Sequence, residues 1–147
     1  MRAKGRIVSR TGLQRGAAIV AAVGFAGLLL FQVALAAGLP LGRAAFGGTS
    51  EVLPPTLRVA SVVSALLFAL AMWAVLARGG VIAVSERAYR LAGWALWAFV
   101  ALFGLSALAN LVSPSPWERL LMAPLALLLT GCCLVVAFAS RTTRTAS

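Results

Sequence analysis

The sequence predicts an all-α membrane protein, a bundle of four transmembrane helices with both termini cytoplasmic, and three observations carry that reading. A bilayer core of ~30 Å and a helical rise of ~1.5 Å per residue require roughly 20 apolar residues per crossing. The 147-residue chain holds four such stretches, at about 16–38, 57–76, 91–111 and 120–139. Hydrophobic residues make up 62% of the chain and charged residues 11%, with a mean hydropathy of +1.00, outside the balance of a water-soluble domain. Basic residues gather in every second gap: ten of the thirteen Lys and Arg fall before the first stretch, between the second and third, or after the fourth. Short cytoplasmic loops collect Lys and Arg, which assigns those gaps and both termini to the cytoplasm. None of the stretches alternates as a barrel strand would. A basic cytoplasmic arm (1–15), a single membrane domain (16–139) and a cytoplasmic tail (140–147) account for the chain, and no segment outside the membrane is long enough to bury a core.

The first helix follows Arg2, Lys4, Arg6, Arg10 and Arg15. Its basic start, apolar run and Ala34-Leu35-Ala36 resemble a signal peptide, but the run exceeds the usual 7–15 residues and Gln32 interrupts it, so it is expected to be retained. Ala18, Ala22 and Ala26 permit close helix contact, and Gln32 projects within ~40° of Ala18 and Ala36, toward the bundle. The outer-side connection 39–56 is rich in turn formers, yet Leu39, Leu41, Phe46, Val52 and Leu53 make it too apolar for a solvated loop. It is expected to fold over the bundle mouth, with Gly42, Gly47 and Gly48 allowing tight turns and Glu51 pairing with Arg43 or Arg58.

The second helix ends at Gly79-Gly80, and Ser85 is the expected N-cap of the third, with Glu86 and Arg90 as an i,i+4 pair. Trp94 and Trp97 share one face near this end and suit an interfacial anchor or a stacking surface for a ligand. In the third connection, Ser115 and Glu118 have the spacing of a capping box, with Pro116 at the first helical position and Trp117 at the interface. Pro124, inside the fourth stretch, removes one backbone hydrogen bond and is expected to kink the helix.

Catalytic chemistry has few candidates. The chain has no His and three acids, Glu51, Glu86 and Glu118, all in connections, so neither a protein-bound metal nor a cofactor is expected. Cys132 and Cys133 are adjacent, ~100° apart on a helix, and read as packing residues. The formal charge of +10 arises from residues that flank the spans rather than forming a patch interleaved with aromatics, so no nucleic acid partner is expected. Polar side chains gather in the outer leaflet: Gln32, Ser61, Ser64, Ser106 and Asn110, with Arg43, Glu51 and Arg58 above them. These eight form the candidate outer-side polar site, either as interhelical hydrogen bonds or as the lining of a shallow cavity.

Gly38-Leu-Pro-Leu-Gly-Arg-Ala-Ala-Phe-Gly-Gly48, Val52-Leu-Pro54, Leu57-Arg-Val-Ala-Ser61, Ser115-Pro-Trp-Glu-Arg119 and Pro124 together resemble an uncharacterised family of small four-helix bacterial integral membrane proteins. Members show Gly-Ala-Pro-Trp-Gly where this chain has Gly38-Leu39-Pro40-Leu41-Gly42. The resemblance implies a bacterial inner-membrane location and carries no established activity. The expected function is therefore that of a non-enzymatic accessory component whose partner is the lipid bilayer itself, a bound lipid, a membrane protein or a second copy of the chain. A small transporter with an outer-leaflet polar site is the alternative, although no carboxylate lies inside a span. A membrane-embedded enzyme using Glu51 or Glu118 as general base is the second alternative.

Overall fold

A computed structural model describes residues 3–142, with side chains from 12 to 141. Four helices form: α1 (Ala3–Ala37), α2 (Pro55–Arg78), α3 (Glu86–Leu111) and α4 (Ala123–Thr142), the last preceded without a break by a π-helical segment, Glu118–Met122. Over Gly12–Ala37, Pro55–Arg78, Glu86–Leu111 and Glu118–Arg141 they are long and apolar enough to cross a bilayer, so the protein is a multi-pass membrane protein.

Hydropathy marks the apolar core of each span, whereas the helix ends are set by local chemistry a few residues further out. Pro55 opens α2 at the first helical position, and Ser85 caps α3 by accepting from the Ala88 amide at 3.3 Å. At the end of α1, Gly38 adopts φ +90°, its amide donating to Leu35 while that of Leu39 donates to Ala34. The same paired bonds recur after α2, where Gly80 has φ +67° and donates to Ala77 while Val81 donates to Leu76. Both are Schellman closures, which a residue without Cβ makes without strain. Backbone helicity in α1 begins at Ala3, inside the basic arm, whose side chains at Arg2, Lys4, Arg6 and Arg10 lie outside the described residues, as does Arg144 of the tail.

The expected capping box at Ser115 and Glu118 does not form: the Ser115 hydroxyl donates to the Arg43 carbonyl, and the Glu118 carboxylate turns to the loop before α2. Pro124 is accommodated one turn earlier than a kink at its own position would require. The turn over Glu118–Met122 widens so that the Ala123 amide bonds to Glu118, five residues back. A π-turn makes room for a ring that would otherwise meet a carbonyl of the preceding turn.

The core is an aromatic stack flanked by alanines. Phe103 of α3 lies with ring centroids 5.0 Å from Phe25 of α1, 5.9 Å from Phe68 of α2 and 5.7 Å from Phe99. Ala18, Ala21, Ala71, Leu96, Leu129, Cys133 and Val136 complete it. Small residues bring the backbones together: a Cβ on Gly79 would stand 2.2 Å from the Cβ of Ala18, and one on Gly24 2.7 Å from Leu129. One end of the bundle joins Gln14 of α1, Arg78 of α2 and Ser140 of α4 through Gln14 Nε2 to the Arg78 carbonyl (2.7 Å) and Arg78 to Ser140 Oγ. The opposite end holds the 42–48 segment and Glu118.

Candidate functional site

At the Glu118 end the four helices leave a cavity of about 390 Å³. Its floor is Phe68, Phe103 and Leu129, the upper edge of the aromatic core, and residues 44–47 lie across the other side. The polar wall comes from Gln32 of α1, Ser64 of α2, Ser106 and Asn110 of α3, and Glu118. Ser106 and Ala109, both in the lining, are exposed, so the cavity opens along α3.

The segment over the cavity is held by backbone geometry and by the loop before α4. Phe46, Gly47 and Gly48 occupy successive left-handed positions, φ 51°, 79° and 70°, which turn the chain back on itself. Phe46 is the only described residue other than glycine with positive φ, and it lines the cavity. Gly48 is required twice, since a Cβ there would stand 2.8 Å from the Arg43 carbonyl oxygen and 3.1 Å from Ser115. The Gly47 amide donates to Glu118 Oε1 at 2.9 Å, and Ser113 Oγ donates to Glu118 Oε2. Ser113 Oγ in turn accepts from the Ser115 amide at 3.1 Å. Ser113, Ser115 and Glu118 are all buried, so this network fixes the segment in apolar surroundings with its donors satisfied. Leu53 and Ala45 of the connection pack against Leu35, whereas Leu39, Leu41 and Val52 remain exposed.

Of the eight residues of the predicted polar site, Gln32, Ser64, Ser106 and Asn110 line this cavity, and Arg43, Glu51, Arg58 and Ser61 do not. Arg58 covers Gly38 and donates from Nε to the Leu53 carbonyl at 3.0 Å, at the carbonyl end of α1, where a cation is favoured. Arg43 and Glu51 are exposed, and neither arginine pairs with Glu51 among the described contacts. Gln32, Ser61, Ser64, Ser106 and Asn110 likewise do not bond to one another across helices. Instead, Gln32 Oε1 is buried beside the cavity without a partner, and Ser61 Oγ is buried without one away from it. Glu118 is the lining residue that sequence reasoning assigned elsewhere. Its available signal was an acid next to two serines in a connection too short to solvate it. Among the described residues, no three His, Cys, Asp or Glu side chains gather as metal ligands would.

No known family model matches the chain, and no curated protein or solved structure matches it, so the resemblance to four-helix bacterial membrane proteins stands on the quoted motifs and the four apolar helices alone.

Proposed function

We propose that this protein is a non-enzymatic component of the bacterial inner membrane that binds the polar end of a lipid in the Glu118-end cavity. Its termini are cytoplasmic and its cavity lies in the outer leaflet, with the 39–56 connection as cover. The carrying observation is Gln32 Oε1, a buried acceptor that no protein group satisfies, at the wall of a cavity of about 390 Å³. A buried acceptor left alone costs about 1–3 kcal/mol, which an occupant with a hydrogen-bond donor recovers once the terminal amide of Gln32 turns toward the cavity that the residue lines. The volume falls within the ~300–1,000 Å³ typical of ligand sites.

The lining defines the headgroup. Glu118 and three neutral polar residues, Ser64, Ser106 and Asn110, accompany Gln32, and no Lys or Arg side chain is among the lining residues. A protonated amine or a polyol satisfies such a wall, and an anion does not. The opening along α3 lets acyl chains remain in the bilayer while the headgroup enters. The aromatic floor of Phe68 and Phe103 supports binding over passage through the bundle. Both Glu118 oxygens already accept hydrogen bonds from the loops, which favours a binding role over a general base.

Native mass spectrometry of the full chain extracted gently from its own membrane tests the reading. Wild-type protein retains a lipid with an amine or polyol headgroup, and Gln32→Leu, with unchanged helix content, loses it. A lipid-free wild type, or equal retention by the variant, overturns the proposal. A second protein retained in place of lipid replaces it with a partner role.

A further inference from the structure

The opposite end of the bundle holds a second cavity, of about 610 Å³, lined by Arg78, Arg90, Gly93, Trp94, Trp97, Ser140 and Arg141. Three guanidinium groups from three helices meet at one opening, and among the described residues no acidic side chain lines it. Two of the three are held in place by neighbours suited to a planar cation. Arg78 donates from Nε and Nη2 to Ser140 Oγ at 3.2 and 2.6 Å, and its Cζ stands 4.1 Å from the Tyr89 ring centroid. Arg141 Cζ stands 4.4 Å above the Trp97 ring, which is packed edge-on against Phe138. Gly93 gives Arg78 its room, because a Cβ there would come within 3.2 Å of Nη1. A glycine inside a helix is unfavourable by ~1 kcal/mol relative to Ala, so the position trades helix propensity for the placement of that side chain.

From this arrangement we infer a phosphate-binding site at the Arg78 end, taking the phosphodiester of an anionic lipid headgroup or a soluble phosphate compound. Guanidinium groups bind phosphate oxygens in planar, often bidentate pairs, and stacking on aromatic rings fixes their planes before the anion arrives. Arg90 is exposed at the rim, and Trp94, 80% exposed, extends from the same face of α3 to the depth where indole rings meet headgroups. The inference does not rest on the reading of the Glu118 end, whose wall has the opposite chemistry.

Full-length protein in neutral detergent is titrated with phosphatidylglycerol, with phosphatidylcholine, whose phosphodiester charge is offset by a quaternary ammonium, as the zwitterionic comparison, and separately with inorganic phosphate. The variants are Arg90→Gln with Arg141→Gln, leaving the more enclosed Arg78 in place, and a control pair, Arg43→Gln with Arg119→Gln, that removes the same charge without touching the cavity. We expect phosphatidylglycerol to bind in preference to phosphatidylcholine, and the cavity pair to weaken that binding at least about tenfold, the loss of one charge-assisted contact, while the control pair does not. Binding of inorganic phosphate with the same dependence and no preference between the lipids assigns the site to a soluble phosphate compound. Equal weakening by both pairs reduces the effect to net charge and overturns the inference, as does the absence of binding by either probe.

Discussion

Removing the Glu118 carboxylate should release the 42–48 segment from the bundle. Glu118→Ala deprives the Gly47 amide (2.9 Å) and the Ser113 hydroxyl of their acceptor. A hydrogen bond to a charged group contributes about 1.5–3 kcal/mol, and Gly47 lines an open cavity from which water can replace the lost oxygen, so the lower end applies to both bonds. The expected loss is about 3 kcal/mol. Glu118→Gln keeps one carbonyl oxygen for Gly47, while its amide can donate to Ser113 Oγ, which has a second lone pair besides the one taken by the Ser115 amide. That variant should lose about 1 kcal/mol, the charge assistance alone. Unfolding of the micelle-solubilised protein, followed by tryptophan fluorescence, ranks wild type above Glu118→Gln above Glu118→Ala. Hydrogen exchange over 42–48 accelerates in the same order. Equal stability of all three with unchanged exchange would refute the account of Glu118 as the tie between the two loops.

In lipid-free protein Gln32→Leu and Ser61→Ala each remove a buried group without a partner and should each raise stability by about 1 kcal/mol, but only Gln32→Leu should abolish lipid retention, since Ser61 lies outside the cavity. A thermal-shift and mass-spectrometry comparison of the two separates a ligand contact from packing. Gly79→Ala should cost about 1–3 kcal/mol because its Cβ meets the Ala18 Cβ at 2.2 Å, whereas Gly24→Ala meets only the movable end of Leu129 and should cost less in the same assay. Ser85→Ala should destabilise the start of α3 by about 1 kcal/mol, seen as faster exchange of the Ala88 amide.

What could be read from the sequence follows the range of the interactions. The four spans were legible because bilayer thickness imposes a length and composition that no tertiary contact revises. Ser85 and Gly79-Gly80 were legible because a cap and a helix stop are completed within a few residues of themselves. Ser115 and Glu118 carry an equally good local signal, and it misled. Their partners are Arg43 and Gly47, more than seventy residues away, and a carboxylate that can satisfy a left-handed turn in apolar surroundings gains more there than in its own first helical turn. The polar site divided for a related reason. Gln32, Ser64, Ser106 and Asn110 lie at one level of the bundle and line one cavity, whereas Ser61, nearly one turn from Ser64 on α2, is buried outside it. Glu51 was paired with Arg43 or Arg58 by sign alone, but the Leu53 carbonyl within the connection offered Arg58 a counterpart.

The basic residues present the reverse case, in which the reading from sequence explains too little. The rule that orients membrane proteins counts Lys and Arg near the spans and is indifferent to how each side chain is held. It accounts for Arg78, Arg90 and Arg141 lying at one end, and it would be met as well by three extended side chains. The structure spends more on them: Ser140 and Tyr89 on Arg78, an indole under Arg141, and a glycine at 93 where alanine would favour the helix. The opposite cavity presents Glu118 and neutral polar groups without a basic side chain. Between them, the Phe25, Phe68 and Phe103 stack separates the two polar ends. A phospholipid carries both chemistries that these ends select, an amine or polyol and a phosphate. The two sites are therefore best distinguished by the residues on which binding depends: phosphatidylglycerol bound at the Arg78 end should be lost with Arg90 and Arg141, whereas loss of Gln32 should act only at the other.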